Sequence, residues 1–331
     1  MVPWRLESLG VVLKVLLTGA TGFVGRGILE TFAAIPGLRL AVAVRSRLPG
    51  EFPGVEVHSI DGLNATQGWT SALAGVDVVV HAAARVHVMR ETAGDPLAEF
   101  RAVNVEGTLN LARQAAAAGV RRFIFISSIK VNGESTPPGR PFRAEDAPAP
   151  ADPYGQSKLE AERALSHLAE ERAMEWVIIR PPLIYGPGVG ANFASLMRVV
   201  QRQLPLPFAR VRNRRSLVAR DNLVDLLRVC LEHERAANQV FLVSDDHDLS
   251  SAELCRRLAV ALGVRPRLLP VPVVLLQGLA ALFGRGAQAQ RVLGSLQVDI
   301  GKTRELLGWQ PPVSVDQALA ETARWYREAR A

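Results

Sequence analysis

Residues 19–25 read Gly-Ala-Thr-Gly-Phe-Val-Gly, and they follow the apolar run Val11–Leu17 along the chain. A buried strand that leads through a glycine-rich turn into a helix is the pattern of a dinucleotide-binding unit. The glycines permit a tight turn, and they let backbone N–H groups at the start of the helix approach a pyrophosphate. The sequence therefore predicts that a dinucleotide contacts Gly19, Thr21, Gly22, Phe23, Val24 and Gly25.

Strand-like apolar runs alternate with helical patterns through the first half of the chain, which is typical of a parallel sheet covered by helices on both faces. The sequence therefore predicts an α/β fold with a doubly wound (Rossmann) parallel sheet. After Pro181 and Pro182 the pattern changes to short helices, proline-rich loops and isolated strands such as Val240–Val243. Six sheet strands are expected, at Val11–Leu17, Arg39–Val44, Val55–His58, Val76–His81, Arg122–Ser127 and Trp176–Arg180.

This change of pattern predicts two domains. Residues 1–182 are expected to form the dinucleotide-binding domain, and residues 183–331 a smaller, mixed substrate-binding domain. Roughly residues 215–235 are expected to return and pack on the first domain. The apolar stretch Leu268–Phe283 is short and interrupted by prolines and a glycine, so it is not expected to span a membrane. We expect a core helix there, with loose membrane contact as the alternative.

Charge and composition narrow the classes of partner. The 331 residues carry a formal net charge of +7, which favours anionic partners. The charges are mostly spread singly, so we expect a phosphorylated small molecule and no nucleic acid. Cys230 and Cys255 lie within apolar helical patterns and are predicted to be core thiols, and no metal site is expected because the histidines never pair at ligand spacing. The apolar N-terminal run is interpreted as a first strand and not a secretory signal, which predicts a cytoplasmic location.

Residues 154–158 read Tyr-Gly-Gln-Ser-Lys, with the tyrosine and the lysine four residues apart. On a helix these two positions share a face, so the Lys158 ammonium can lie near the Tyr154 phenol and a cofactor ribose, and is expected to lower the phenol pKa. Ser128 stands at the carboxyl end of a buried strand, where open α/β sheets place their ligands. The three predicted catalytic residues, Ser128, Tyr154 and Lys158, form a proton-transfer site facing a nicotinamide.

The residues at the ends of other strands bear on the choice of cofactor. Arg45 and Arg47 stand where an NAD-preferring site usually places a carboxylate, and a guanidinium suits a 2′-phosphate, so NADP(H) is favoured over NAD(H). Solvated loop arginines are the alternative interpretation. The remaining predicted cofactor contacts are Asp61 at the adenine edge, Ala82 and Ala83 at a strand end, Asn104 near the lysine, and Pro181. For Asp61 and Asn104 the alternatives are a turn aspartate and an ordinary helix amide.

Taken together, these motifs resemble those of the extended short-chain dehydrogenase/reductases that act on nucleotide sugars, the epimerase/dehydratase/reductase family. The resemblance covers nearly the whole chain and implies that Asn192 and Arg215 bind the diphosphate or uridine side of a UDP-sugar. It also implies a homodimer through the helices that carry Asn104 and Tyr154. Besides residues 19–25, it rests on residues 81–83, 104–108, 127–128, 154–158, 180–188 and 306–311.

Residues 129–134, Ile-Lys-Val-Asn-Gly-Glu, depart from two branches of that family. The 4-epimerases usually carry a tyrosine-glycine step there, and the dehydratases an acidic pair. The sequence is most similar to bacterial reductases of UDP-4-keto-6-deoxy-N-acetylhexosamines, which serve surface polysaccharide assembly. Reduction of the C4 keto group by NAD(P)H is therefore the leading hypothesis. The alternatives are a UDP-sugar 4-epimerase with tightly bound NAD, and a non-catalytic dinucleotide-sensing regulator.

Overall fold

The computed structural model describes residues 12–86, 95–284 and 286–329, so Val11 of the predicted first strand lies outside the described residues. Nine strands are formed within the described ranges: β1 (Leu13–Thr18), β2 (Leu38–Val44), β3 (Glu56–Ser59), β4 (Val78–His81), β5 (Arg122–Ile126), β6 (Glu175–Arg180), β7 (Leu183–Tyr185), β8 (Leu217–Ala219) and β9 (Gln239–Leu242). Seven of them form one sheet in the order β3-β2-β1-β4-β5-β6-β9, and β7 pairs with β8. All neighbours in the large sheet are parallel, which confirms the predicted doubly wound α/β fold.

Helices cover both faces of this sheet and build the second half of the chain. The turn of π-helix at Ala102–Gly107 joins α3 to α4, where the sequence predicted a single helix over Pro96–Ala118. The helices are α1 (Phe23–Phe32), α2 (Thr70–Leu73), α3 (Pro96–Arg101), α4 (Thr108–Ala117), α5 (Pro153–Glu171), α6 (Ala191–Gln201), α7 (Arg220–Cys230), α8 (Ser251–Leu262), α9 (Val273–Leu282), α10 (Gly286–Leu293), α11 (Gly301–Leu307) and α12 (Val315–Glu328).

Side-chain alternation along β1 divides the core in two. Val15 and Leu17 lie in the core that includes α1 and α7, whereas Leu16 lies in the core on the opposite face, with α4 and α5. Because successive strand residues point to opposite faces, a central strand must be apolar at every position to fill both cores. Val78, Val79 and Val80 of β4 are accordingly fully buried. A third core lies in the second half of the chain, around α6, α8 and α12.

Strand β9 corrects one prediction. We expected an isolated strand at Val240–Val243 in a substrate domain, but β9 pairs in parallel with β6 as the seventh strand of the main sheet. The return of the chain explains this position, because Leu223 and Leu227 of α7 belong to the same core as Val15 of β1. Pairing with β9 also covers the edge of β6, which would otherwise expose unpaired backbone groups.

Helix α9 corrects another. The stretch Leu268–Phe283 was expected to be a core helix, yet no residue of α9 is buried. The sequence pattern identified the helix, but it could not show that residues of other elements form the three cores. Across residues 12–86, 95–284 and 286–329, no helix is both long enough and apolar enough to cross a membrane.

Candidate active site

The turn between β1 and α1 brings the backbone close to strand β4, as its glycines predicted. Gly19 has a positive φ of 77°, and a Cβ at this position would lie 2.7 Å from the Ala83 nitrogen. A Cβ on Gly25 would lie only 2.0 Å from the Gly19 oxygen, so a side chain fits at neither position. Thr21 and Gly22 are exposed at the start of α1. Among the described residues no side chain caps this helix, so its first N–H groups suit the pyrophosphate of a dinucleotide.

The predicted adenosine-side residues gather at the same edge of the sheet. Arg45 and Arg47 follow β2 and are exposed, and both line a cleft of about 510 Å³ that also includes Ser59 of β3. Asp61 is exposed beyond β3, and its backbone N–H donates to Gln67 Oε1 at 2.9 Å. The two arginines therefore provide cationic groups in a cleft large enough for a phosphate.

His81, at the end of β4, is a neutral structural residue. Its Nδ1 lies 2.7 Å from Thr18 Oγ1 and its Nε2 lies 3.0 Å from Thr108 Oγ1, so it ties β1 to α4. Burial, with a smaller contribution from the Lys158 charge, lowers the His81 pKa to about 3. Thr18 Oγ1 also accepts a hydrogen bond from the Ala83 N–H, at 3.3 Å. This network fixes Ala82 and Ala83 beside the glycine turn.

The structure brings the three predicted catalytic residues together. Ser128 follows β5, and its side chain lies close enough to the phenol of Tyr154, in the first turn of α5, to lower the phenol pKa. The Tyr154 ring packs edge-on against Phe100, with centroids 5.9 Å apart. Lys158 lies one turn along α5 and donates from Nζ to the Ile126 carbonyl at 2.8 Å. Serine, phenol and ammonium thus meet at the carboxyl end of β5.

The pKa values of this site correct the expected effect of the lysine. Burial, assisted by the Asp152 charge and opposed by the Ser128 hydrogen bond, raises the Tyr154 pKa to about 12. The prediction that Lys158 lowers the phenol pKa is therefore wrong for this arrangement. Burial lowers the Lys158 pKa itself to about 7, against the opposing charge of Glu162. Its ammonium lies 4.3 Å from the centre of the Phe125 ring and bonds a carbonyl, so its charge acts mainly on those groups and not on the phenol.

Asn104 sits in the π-helical turn and contacts the helix that carries the catalytic pair. Its Nδ2 donates to Ser157 Oγ and to the Arg85 carbonyl, both at 3.0 Å, and its Oδ1 accepts from the Arg85 N–H at 2.8 Å. Ser157 Oγ in turn donates to the Tyr154 carbonyl at 2.8 Å. Asn104 therefore fixes backbone on either side of the site. Single π turns within helices are often found at functional sites.

A buried ionic network under the site was not predicted from the sequence. Glu162 of α5 accepts hydrogen bonds from Ser127 Oγ and from Arg180, whose Nη2 lies 2.6 Å from Oε2. Arg180 Nη1 also donates to Asn132 Oδ1 at 3.0 Å. The sequence did contain one indication that Glu162 lies near the site. It stands four residues after Lys158 and so lies on the same face of α5. The network ties the end of β5 to β6 and α5.

A second set of charges borders Tyr154. Asp152 caps α5 by accepting the Gly155 N–H at 2.7 Å, and it also accepts a hydrogen bond from Lys130 Nζ. Lys130 Nζ donates as well to Glu134 Oε1, at 2.8 Å. Burial would raise the Asp152 pKa, but the bonds from Lys130 and Gly155 hold it below its ordinary value. Lys130 belongs to the segment 129–134 that departs from the 4-epimerase and dehydratase patterns. Through Asp152 it is connected to the start of α5, next to Tyr154.

The predicted substrate residues lie on separate elements. Arg215 is half-buried, and its Nη1 donates to the Gly294 carbonyl at 3.2 Å, with the Glu134 charge nearby. Asn192 is exposed in the first turn of α6, and none of the contacts within the described ranges joins it to Arg215. Pro181 is buried and accepts the Ile129 N–H at 3.0 Å, next to Ser128.

The two cysteines, Cys230 and Cys255, are buried in α7 and α8, which confirms that they are core thiols, and burial raises the pKa of each to about 12. Among the described residues no cluster of three or more histidine, cysteine or acidic side chains is arranged to hold a metal.

Comparison with known proteins places this chain in a family. The model of the NAD-dependent epimerase/dehydratase family matches residues 15–244. A UDP-glucose 4-epimerase of Vibrio cholerae is 48% identical over 317 residues, which cover 96% of each chain. The N-acetyl-alpha-D-glucosaminyl-diphospho-ditrans,octacis-undecaprenol 4-epimerase of Escherichia coli O157:H7 is 27% identical over 94% of this chain and 95% of its own.

The fold agrees with these sequence relatives. The crystal structure of a UDP-glucuronic acid 4-epimerase from Bacillus cereus in complex with NAD superimposes with a TM-score of 0.77, covering 96% of this chain and 100% of its own at 18% identity. The parallel sheet with helices on both faces is the fold that this structure shares. The chain therefore belongs to the NAD-dependent epimerase/dehydratase family, among the extended short-chain dehydrogenase/reductases.

Proposed function

We propose that this protein is a UDP-sugar 4-epimerase that inverts the configuration at C4 of UDP-glucose or UDP-N-acetylglucosamine. The observation that supports it most is the 48% identity, over 96% of each chain, to a UDP-glucose 4-epimerase. This reverses the preference that the sequence alone suggested, in which a 4-reductase came first. Both reactions use the same chemistry at C4, so the site residues keep their proposed roles.

The proposed proton path joins the sugar to Tyr154. Tyr154 takes the proton of the C4 hydroxyl when the sugar is oxidised and returns it when the 4-keto sugar is reduced from its opposite face. Ser128 hydrogen-bonds the same oxygen, and its bond to the phenol favours the phenolate that oxidation needs. A bound nicotinamide supplies the acceptor and donor of hydride. Lys158 is proposed to position the ribose of the dinucleotide.

Charged side chains and exposed backbone N–H groups indicate where the rest of the substrate and the cofactor would bind. Arg215 is proposed to pair with the substrate diphosphate, because a half-buried guanidinium forms bidentate bonds to phosphate oxygens. Asn192 is proposed to contact the uridine side. The pyrophosphate of the dinucleotide is proposed to lie on the first turn of α1, over Gly19, Gly22 and Gly25.

The 4-reductase is the second candidate, and two observations favour it. Arg45 and Arg47 line a cleft where a 2′-phosphate would lie, which suits NADPH, the usual biosynthetic reductant. A Tyr154 pKa of about 12 also keeps the phenol protonated at neutral pH, which is the form that a reductase needs at the start. In that reaction Tyr154 protonates the oxyanion formed at C4 of a UDP-4-keto-6-deoxy-N-acetylhexosamine.

Three features of the whole molecule are also proposed. We infer a homodimer through the helices that carry Asn104 and Tyr154, a division into domains near residue 182, and a cytoplasmic location. The first of these rests on the resemblance to the family, and within the chain the two helical elements pack against each other.

Product analysis distinguishes the two reactions. The purified protein is incubated with UDP-glucose or UDP-N-acetylglucosamine without added cofactor, and the sugars are separated by chromatography. An epimerase is expected to form the C4 epimer, and Tyr154→Phe is expected to abolish it. If no epimer forms, and the protein instead oxidises NADPH when given the 4-keto-6-deoxy sugar, the proposal fails and the reductase takes its place. Arg45→Ala should then weaken NADPH binding far more than NADH binding.

A further inference from the structure

Helix α9 exposes an apolar surface that no part of the described protein covers. Its ten residues are Val-Val-Leu-Leu-Gln-Gly-Leu-Ala-Ala-Leu, and none of them is buried. The exposed fraction is 54% for Leu279, 77% for Leu282 and 72% for Phe283, which follows the helix. Val274 and Leu275 are exposed in the same way. We refer to residues 268–284 as the apolar segment.

Such a surface indicates a partner. A helix that is apolar on all sides is ordinarily buried, because water penalises each exposed leucine or valine. Contiguous apolar patches on soluble proteins mark sites of protein or membrane interaction. Gln277 is the one polar side chain of the apolar segment, so the surface has few hydrogen-bonding groups to specify a polar partner.

Arginines flank the apolar segment on both sides. Between Glu253 and Asp299 the sequence contains six arginines, no lysine and no acidic residue. Arg265 and Arg267 come directly before the segment and are exposed. Arg291 of α10 is exposed after it and its Nε lies 3.9 Å from Glu134 Oε2, so the positive charge of this surface comes mainly from the two arginines before the segment. An apolar helix bordered by basic residues is the pattern that binds the interface of an anionic bilayer, where each cation near the surface adds to the affinity.

We propose that the apolar segment docks on the surface of an anionic phospholipid bilayer, with α9 lying in the plane of the interface. Ten helical residues extend about 15 Å, roughly half of the hydrocarbon thickness, so α9 lies on the membrane. A second copy of the chain is a poorer occupant. In a two-fold contact, the same arginines of both copies would approach one another without an acidic residue nearby in sequence, whereas anionic lipid neutralises them.

The docking surface adjoins the proposed substrate site. Helix α10 follows α9, and the chain that leaves it is held by Asn213, whose Nδ2 donates to the carbonyls of Val292 at 3.0 Å and Gly294 at 2.8 Å. Arg215 Nη1 donates to the same Gly294 carbonyl. Docking therefore places the Arg215 side of the site beside the bilayer. This last step rests on the proposed function, but the docking itself does not.

Vesicle flotation tests the proposal. The full-length protein is mixed with phosphatidylcholine vesicles, or with vesicles that also contain phosphatidylglycerol, at low and at high salt. We expect it to float with the anionic vesicles at low salt and to be released from them as salt rises. Leu279→Ser combined with Phe283→Ser should reduce the bound fraction at least tenfold. Each of Arg265→Gln and Arg267→Gln should weaken binding about fivefold.

Controls separate docking from misfolding and from self-association. Val12→Ser changes an apolar residue that is 48% exposed, just before β1 and outside the apolar segment, and should leave flotation unchanged. Light scattering reports the oligomeric state of every variant, and circular dichroism with urea unfolding reports that each is folded. The proposal is overturned if wild-type protein ignores anionic vesicles. It is equally overturned if Leu279→Ser with Phe283→Ser changes the oligomeric state and leaves flotation as it was.

Discussion

The buried Glu162–Arg180 ion pair should contribute strongly to the free energy of unfolding. Both side chains are 4% exposed, and Arg180 donates to both carboxylate oxygens, from Nη2 at 2.6 Å and from Nε at 3.0 Å. Glu162→Gln removes the negative charge with almost no change of shape. In this variant the charged Arg180 guanidinium stays buried, and only uncharged amide groups remain to accept its hydrogen bonds.

The expected loss is large because the pair is out of water. Removing one partner of a buried ion pair typically costs about 3–5 kcal/mol, since the remaining charge cannot regain its hydration. Glu160→Gln is the matched control. Glu160 lies on the same helix and pairs with Arg101 at 2.6 Å, but these side chains are 24% and 48% exposed, so water solvates the arginine once the carboxylate is gone.

Urea unfolding followed by circular dichroism measures both variants. Glu162→Gln should lower the free energy of unfolding by about 3–5 kcal/mol, whereas Glu160→Gln should change it little. Glu162→Leu combined with Arg180→Met should recover much of the loss, because the guanidinium is then no longer buried without its carboxylate. Equal effects of Glu162→Gln and Glu160→Gln would contradict this prediction, since burial of the ion pair would then not determine the loss of stability.

Three further predictions concern the site. Tyr154→Phe should lower turnover by about 10²–10⁴-fold and leave dinucleotide binding intact, as measured by rate assays and by calorimetry, and near-normal turnover would exclude the phenol as proton carrier. Gly25→Ala should abolish dinucleotide binding and lower the urea midpoint, because its Cβ would meet the Gly19 oxygen at 2.0 Å, while Gly68→Ala, with open space around it, should do neither. Lys158→Met should flatten the pH dependence of stability between about pH 7 and pH 10.5, the window between the buried and ordinary pKa values of Lys158. The unfolded chain binds a proton there that native Lys158 has lost, so wild-type stability should rise with pH across that window, and an unchanged slope in Lys158→Met would contradict the shifted pKa.

The sequence predicted those parts of the fold that depend on local patterns. The central strands were visible because β1, β4 and β5 are buried on both faces and are mostly apolar. The position of strand β9 was predicted wrongly because the sequence of a four-residue strand does not indicate which strand of the sheet it pairs with. The burial of helix α9 was predicted wrongly because an apolar sequence indicates that a helix favours burial but does not indicate whether the same chain covers it.

The site was predicted to a similar extent. Short motifs located Ser128, Tyr154 and Lys158 because backbone geometry brings strand ends and helix starts together at one edge of a parallel sheet. The pKa values could not be predicted, because they depend on burial and on where the Lys158 ammonium finds its acceptor. The Glu162–Arg180 network joins residues that come together only after β6 has paired with β5.

In the proposed epimerase reaction, hydride leaves C4 of the sugar and returns to C4 of the same sugar. The most direct test is to incubate the protein with UDP-glucose deuterated at C4 and to examine the sugars by NMR. We predict a C4 epimer that retains deuterium at C4, without exchange with solvent. Loss of the deuterium to water, or no epimer at all while added NADPH is oxidised by a 4-keto sugar, would contradict the claim.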